Sequence, residues 1–206
     1  MNRFKGMLLG VALLALPAVA RAQAQTITFD DQGGMVGIGD YAGFNFGTWF
    51  YRLDGLNYPW TSGYQNAVVS PNFVAFNNAA QPVSLSRANP FTFNGAYFTA
   101  AWHDGLQLNI IGRLGSAQMF NTTLTLTTSG PTWFAANWAN IDALFFSSYG
   151  GAHHYGLEGD GDHFAMDNLT VNQDVVPEPA TLLLLATGLA GIVGAARRRR
   201  QKSTEN

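Results

Sequence analysis

The chain has 206 residues, no cysteine, 12% charged and 47% hydrophobic side chains, and most of its basic groups lie at the two ends. Residues 25–176 hold three arginines (Arg52, Arg87, Arg113) and no lysine against ten aspartates and Glu158, a net charge of −8, so they lack the basic footprint with which a nucleic-acid binder neutralises phosphates. The missing cysteine removes disulfide frameworks, thiolate zinc sites and cysteine nucleophiles, and a middle of this length suffices for one domain that buries roughly 68–70% of its unfolded surface.

Residues 1–24 carry Arg3 and Lys5, an apolar run from Met7 to Ala20 broken only by Gly10 and Pro17, and a close in small residues. This is the layout of a secretory signal peptide. Small side chains at positions −3 and −1 are also available at Ala18/Ala20 and Ala20/Ala22, but Ala22 and Ala24 place the predicted cut after Ala24.

From residue 25 onward the sequence has the period of strands, with Gly or Pro punctuation about every ten residues and no extended helical stretch. Thr26–Asp30 alternates, Leu106, Leu108 and Ile110 alternate with Gln107 and Asn109, and Leu124 and Leu126 alternate with Thr123, Thr125 and Thr127. Further strands are expected at 66–69, 73–76, 82–86, 97–102, 119–121, 133–138, 141–147 and 163–171, with turns at His103-Asp104-Gly105 and Ser129-Gly130-Pro131; Asp-Gly is a strong hairpin signal. Short strands without helical crossovers predict an all-β domain over 25–173, an antiparallel two-sheet sandwich of jelly-roll type.

Within it, Trp49, Tyr51, Tyr58, Trp60 and Tyr64 crowd a segment that also holds Arg52, Asp54, Asn57 and Gln65, and Gly47, Gly55, Gly63 and Pro59 mark much of it as loop. Flat rings for the C–H faces of sugars, with amides and carboxylates for the hydroxyls, would make a saccharide platform; the same rings could equally fill a core. The loop 158–163 offers Glu158, Asp160 and Asp162 on alternate positions, oxygen ligands suited to Ca²⁺, although not in EF-hand spacing. Asp30 or Asp31 on the first strand could meet Asp167 on the last at a second calcium position, and the acidic loop could instead be a solvated turn. His153, His154 and His163 lie near acids, a set that could instead take Zn²⁺ or Ni²⁺. Glu158 with Asp160, Asp162 or Asp167 is a nominal glycosidase pair. No Gly-x-Ser-x-Gly elbow, Walker loop, dinucleotide fingerprint or His-Glu-x-x-His motif occurs, so no catalytic residue is assigned.

Residues 174–206 contain Pro177-Glu178-Pro179, a 17-residue apolar stretch from Ala180 to Ala196, and Arg197-Arg198-Arg199-Arg200. The prolines keep the approach extended. As a helix the stretch spans about 25 Å against roughly 30 Å of hydrocarbon, and four arginines would hold its end in the cytoplasm. With both basic ends inside, the acidic middle is placed outside.

The Pro-Glu-Pro motif, short apolar helix and terminal arginine cluster, paired with a signal peptide, resemble the PEP-CTERM sorting signal of Gram-negative bacteria. The resemblance implies that signal peptidase and an exosortase, a membrane-embedded protease, process the chain. Pro177, Glu178 and Pro179 would then be a recognition site, with transient anchoring in the inner membrane before delivery to the cell surface or extracellular matrix. Carriers of this signal accompany exopolysaccharide and biofilm production, which makes extracellular polysaccharide the expected partner. More loosely, Ile27–Asp31, Gly63–Asn66, Val74–Asn77, Ala100–Trp102 and Phe164–Asn168 resemble the β-sandwich domains attached to such signals. Three functions follow as expectations: a non-catalytic carbohydrate-binding surface protein, a secreted polysaccharide hydrolase, and a matrix protein without a ligand.

Overall fold

The computed structural model of the chain describes residues 23–31 and 33–173. The sorting signal 174–206, with Pro177, Glu178, Pro179, the expected helix 180–196 and the arginine cluster, lies outside the described residues, as does the signal peptide up to residue 22. Among the described residues no helix is long and apolar enough to cross a membrane.

The elements run β1 (Gln25–Ile27), β2 (Val36–Gly37), β3 (Asp40–Tyr41), β4 (Phe44–Phe46), β5 (Phe50–Asp54), helix α1 (Gly63–Asn66), β6 (Phe73–Asn77), a 3-10 turn (Asn78–Ala80), β7 (Val83–Ala100), β8 (His103–Asp104), β9 (Leu106–Leu114), β10 (Ala117–Leu126), β11 (Thr132–Tyr149), β12 (Ala152–His153) and β13 (Phe164–Val171). All pairings are antiparallel, and the main sheet follows the order β10-β9-β11-β7-β13-β6-β5-β2, with β1 on β13 and β4 on β7.

The sandwich arises because β7 and β11 bend together and serve both layers. Ser86 pairs with Ala143 and Phe91 with Ile141, so residues 87–90 of one strand bulge against Asp142 alone of the other. Pro90 brings no ladder donor to this stretch, and Asn137 and Asn140 hold β11 in left-handed conformations (φ 51° and 58°), which asparagine tolerates better than most residues. Such bulges turn a strand sharply and increase its twist. The first layer is β10, β9, the later part of β11 and the start of β7; the second is the early part of β11, the end of β7, β13, β6 and β5.

Between the layers lies the main core. Phe146 of the first layer meets Phe50 (5.8 Å between centroids), Phe98 (6.0 Å) and Phe164 (5.9 Å) of the second. Each fully buried phenylalanine is worth roughly 1.5–3 kcal/mol. A second cluster, Leu53, Tyr64, Ala67, Val74, Phe76, Ala101, Trp102 and Ala165, lies on the far face of the second layer. It is closed by residues 55–70, which include α1. Consequently β13 and β6 are buried on both faces, whereas β9 alternates buried and half-buried.

The expected all-β antiparallel sandwich is the observed fold. Its boundaries differ in instructive places. The strands expected at 82–86 and 97–102 are one strand, as are those at 133–138 and 141–147, because the sandwich corner is a bend with bulges in place of a turn. Residues 66–69 form no strand; they leave α1 and run over the second layer. The segment around Trp49 contributes β4 and β5 in addition to loop.

Candidate functional site

After β5 the chain turns at Gly55, where an added Cβ would lie 2.7 Å from Val68 and 2.8 Å from the Tyr64 carbonyl. The Asp54 carboxylate closes this turn by accepting from Asn57 N–H (2.9 Å) and Nδ2 (3.0 Å). The rings that follow climb from core to solvent: Phe76 contacts Tyr64 (5.4 Å), Tyr64 contacts Tyr58 (5.0 Å), and Tyr58 contacts Trp60 (5.6 Å, 85°). Tyr64 is 2% exposed and Trp60 54%. Burial pushes the phenols of Tyr58 and Tyr64 upward, so both stay neutral donors. Of the five aromatics singled out in the sequence, Tyr58, Trp60 and Tyr64 come together, joined by Trp102 at 5.6 Å from Tyr64 and 6.3 Å from Tyr58. Tyr51 packs on Phe76 from β5 (6.1 Å); Trp49, 44% exposed, stands apart and pairs with no ring among the described residues.

The acidic loop docks onto this aromatic stack, a meeting of two segments that the sequence shows separately. Thr61 N–H donates to Glu158 Oε2 (2.6 Å) and Glu158 N–H to the Thr61 carbonyl (3.0 Å). Gly159 lies against the Trp102 indole, where a Cβ would sit 2.5 Å from the ring. Buried Asn77 anchors the base of the loop, accepting from Phe164 N–H (2.8 Å) and donating to the Asp162 carbonyl (3.3 Å), which also accepts the Ser148 hydroxyl.

All four histidines gather beside this loop, because β8 and β12 pair His103 with His153. His103 Nε2 lies 2.6 Å from Asp160 Oδ1, and Nδ1 lies 3.1 Å from Asp162 Oδ1 and 3.2 Å from the Gly150 carbonyl. Every partner is an acceptor, so the ring satisfies both sides only as imidazolium. Burial opposes that charge, but the Asp160 hydrogen bond and its companions outweigh it and hold the His103 pKa above its ordinary value. His154 Nδ1 meets Asp104 Oδ2 at 2.5 Å; that bond and the Thr128 N–H push Asp104 down to about 2. His153 Nε2 meets the Gly159 carbonyl at 2.8 Å. His163 is held below its ordinary value by burial.

The carboxylates proposed as calcium ligands go to different tasks. Glu158 holds Thr61, while Asp160 and Asp162 grip opposite edges of one imidazole. Asp31 accepts the Tyr41 hydroxyl (2.6 Å). Asp30 and Asp167 do approach one segment. Asp167 accepts from Val69 N–H (2.7 Å), Ser70 N–H (2.8 Å) and Ser70 Oγ (2.9 Å), and Asp30 from Asn72 and Phe73 N–H (2.9 Å each). They fill the gap where β13 exchanges β6 for β1 as its neighbour, giving acceptors to amides that the ladder leaves unpaired. Among the described residues no three His, Asp or Glu side chains converge as a metal-ligand group.

Trp102 and His103 were missed as site residues because, in sequence, they end a strand and open a turn. A wide concavity of about 790 Å³ lies elsewhere, between the β3–β4 hairpin and β7. Its arginine, Arg87, is already held by the Asn89 (2.9 Å) and Pro90 (3.3 Å) carbonyls and by the rings of Phe44 and Phe91, each 5.0 Å away.

Comparison with known proteins finds the PEP-CTERM protein-sorting motif at residues 175–200. The match contains Pro177-Glu178-Pro179 and ends on Arg200, so the chain carries the sorting motif that its C-terminal sequence resembles. No curated protein matches the chain. Among solved structures, a DUF4465 family protein from Bacteroides ovatus is 12% identical over 76% of this chain and 91% of its own, with a TM-score of 0.46. One from Bacteroides caccae is 10% identical over 78% and 97%, with a TM-score of 0.49. TmCBM61 in complex with β-1,4-galactotriose is 8% identical over 66% and 92%, with a TM-score of 0.36.

Proposed function

We propose that this chain is an exported, exosortase-sorted surface or matrix protein of a Gram-negative bacterium, and that its sandwich binds extracellular polysaccharide without cleaving it. The sorting motif at 175–200 supports the route. The expected signal-peptide cut after Ala24 would leave Gln25, the first residue of β1, as the new N-terminus, so removal of the leader would spare the fold.

The observation that carries the binding reading is Trp60, half exposed and braced edge-on by Tyr58, beside a carboxylate whose Oε2 is fixed by Thr61. A braced, solvent-facing indole offers a flat face to sugar C–H groups at little entropic cost, and Glu158, tied to Thr61 next to Trp60 in the chain, keeps Oε1 to accept from hydroxyls. The partners that a hydrolase would need for Glu158 are engaged: Asp160 and Asp162 on His103, Asp167 beneath Val69 and Ser70. That favours binding over hydrolysis.

Tryptophan fluorescence of the full-length chain, titrated with neutral galactan, xylan and β-glucan, tests the reading. At least one polymer should shift the emission, and Trp60→Ala should weaken that binding at least tenfold. No response to any polymer would leave the ligand-free matrix reading standing, and new reducing ends would replace binding by hydrolysis.

A further inference from the structure

The described domain has three arginines, and two are committed. Arg52 is buried, with Nη2 donating to the Gly33 carbonyl (3.2 Å). Arg87 is held as described above. Arg113, on β9, differs: its guanidinium carbon lies 4.6 Å over the Phe145 ring, its Nε is buried without a hydrogen-bond partner, and no described carboxylate pairs with it. In a domain with ten carboxylates against three arginines this isolation is conspicuous, since surface pairing was widely available.

Arg113 lines a groove of about 350 Å³ on the open face of the first layer. The strand register sets the rest. Phe145 stands opposite Ile111 on one side and Ser84 on the other, and Ser147 stands opposite Asn109. Asn109 Nδ2 is spent on Asn121 Oδ1 (2.7 Å), the Thr122 carbonyl (2.9 Å) and Thr123 Oγ1 (3.1 Å), which fixes the amide and leaves Oδ1 as an acceptor. Ser84 and Ser147 add hydroxyls. The groove therefore combines a flat ring, a guanidinium held in a plane by that ring, and neutral hydrogen-bonding groups.

We infer that this groove binds a uronic-acid unit of an acidic polysaccharide, with Arg113 taking its carboxylate and Asn109, Ser84 and Ser147 its hydroxyls. A planar guanidinium with unused donors matches a carboxylate in two-point contact, which an ammonium cannot do. The net charge of −8 gives no long-range attraction for a polyanion, so recognition here is local and rests on one carboxylate in one geometry. This site is separate from the loop end and needs nothing from Trp60.

Calorimetry on the full-length chain in mild detergent tests it, with tetrasaccharides of galacturonic, glucuronic and mannuronic acid and the methyl ester of each. At least one free acid should bind, at least tenfold more tightly than its ester. Arg113→Gln should lose at least tenfold in affinity for the acid, and Arg113→Lys should fall between. Near-UV circular dichroism checks the fold of the variants; the acid–ester comparison uses the parent protein and needs no variant. Binding of none of the three acids, equal binding of acid and ester, or unimpaired binding by folded Arg113→Gln would overturn the inference. Displacement by inorganic phosphate as readily as by the sugar would reduce it to a plain anion site and overturn the saccharide assignment.

Discussion

In the layer built from β9, β10 and the later part of β11, one face is buried and the other meets water. In the layer built from β13, β6 and β5, both faces are covered. β9 reads Leu-Gln-Leu-Asn-Ile-Ile and alternates accordingly, while β13 reads Phe-Ala-Met-Asp-Asn-Leu-Thr-Val and is buried at seven of its eight residues. The difference teaches where each candidate site can sit. The open layer offers a flat face, on which Arg113 lies in a groove between strands; the covered layer offers only the rim of its cover, where Trp60 and the acidic loop emerge.

The cover is the part most easily broken. Gly63 opens α1 and donates to the Ala101 carbonyl (2.8 Å), and a Cβ there would lie 1.9 Å from the Ala100 backbone oxygen. Neither the sheet backbone nor the helix start can yield without losing that bond. Gly63→Ala should cost about 3 kcal/mol, the upper range for overpacking, measured by urea denaturation. It should also abolish neutral-polysaccharide binding, because the loop that presents Trp60 is lifted. A loss under about 0.5 kcal/mol, the range of ordinary surface changes, would mean that residues 55–70 are not packed as a lid on the second layer.

The contrast between layers also explains what could be read from the sequence. Alternation exposed β9 and the later part of β10 plainly, since one wet face forces a period of two. β6 and β13 are legible as apolar runs bounded by turn residues, which fix a strand but not its neighbours. Nothing local announced that Thr61 and Glu158, 97 residues apart, would exchange hydrogen bonds, nor that His103 would sit between Asp160 and Asp162. Such meetings depend on strand order. The aromatic segment was half legible: Tyr58, Trp60 and Tyr64 do form one stack, but whether a ring faces core or water depends on the covering loop, and Tyr64 and Trp60 fell on opposite sides of that choice. The C-terminal motif was legible because its parts are contiguous.

The loop beside the cover should respond to pH through His103. Its folded pKa lies above the ordinary 6.5, so its contribution is fully present below 6.5 and is lost as pH rises through the folded value. His163 works in the opposite sense: its folded value is depressed, and its contribution is lost as pH falls below 6.5. Amide-exchange protection of residues 158–163, corrected for intrinsic rates, should therefore fall between pH 6 and pH 8.5 in the parent and stay level in His103→Gln. Equal protection at both pH values in the parent would show that the two carboxylates hold a neutral ring and that no ionic latch closes the loop.

The smallest effect belongs to the open layer. Thr123 is exposed on β10, opposite Asn109, and its hydroxyl accepts one hydrogen bond from that amide (3.1 Å). Asn109 Nδ2 keeps two further acceptors when the hydroxyl is removed, and water reaches the vacated position. Thr123→Ala should thus cost about 0.5 kcal/mol or less, in line with substitutions that leave no buried group unpaired. Uronate binding should persist, because Asn109 stays fixed by Asn121 and Thr122. A cost approaching that of Gly63→Ala would mean that this face is covered by something, a second copy of the chain included, and the asymmetry between the layers on which the Arg113 groove depends would disappear.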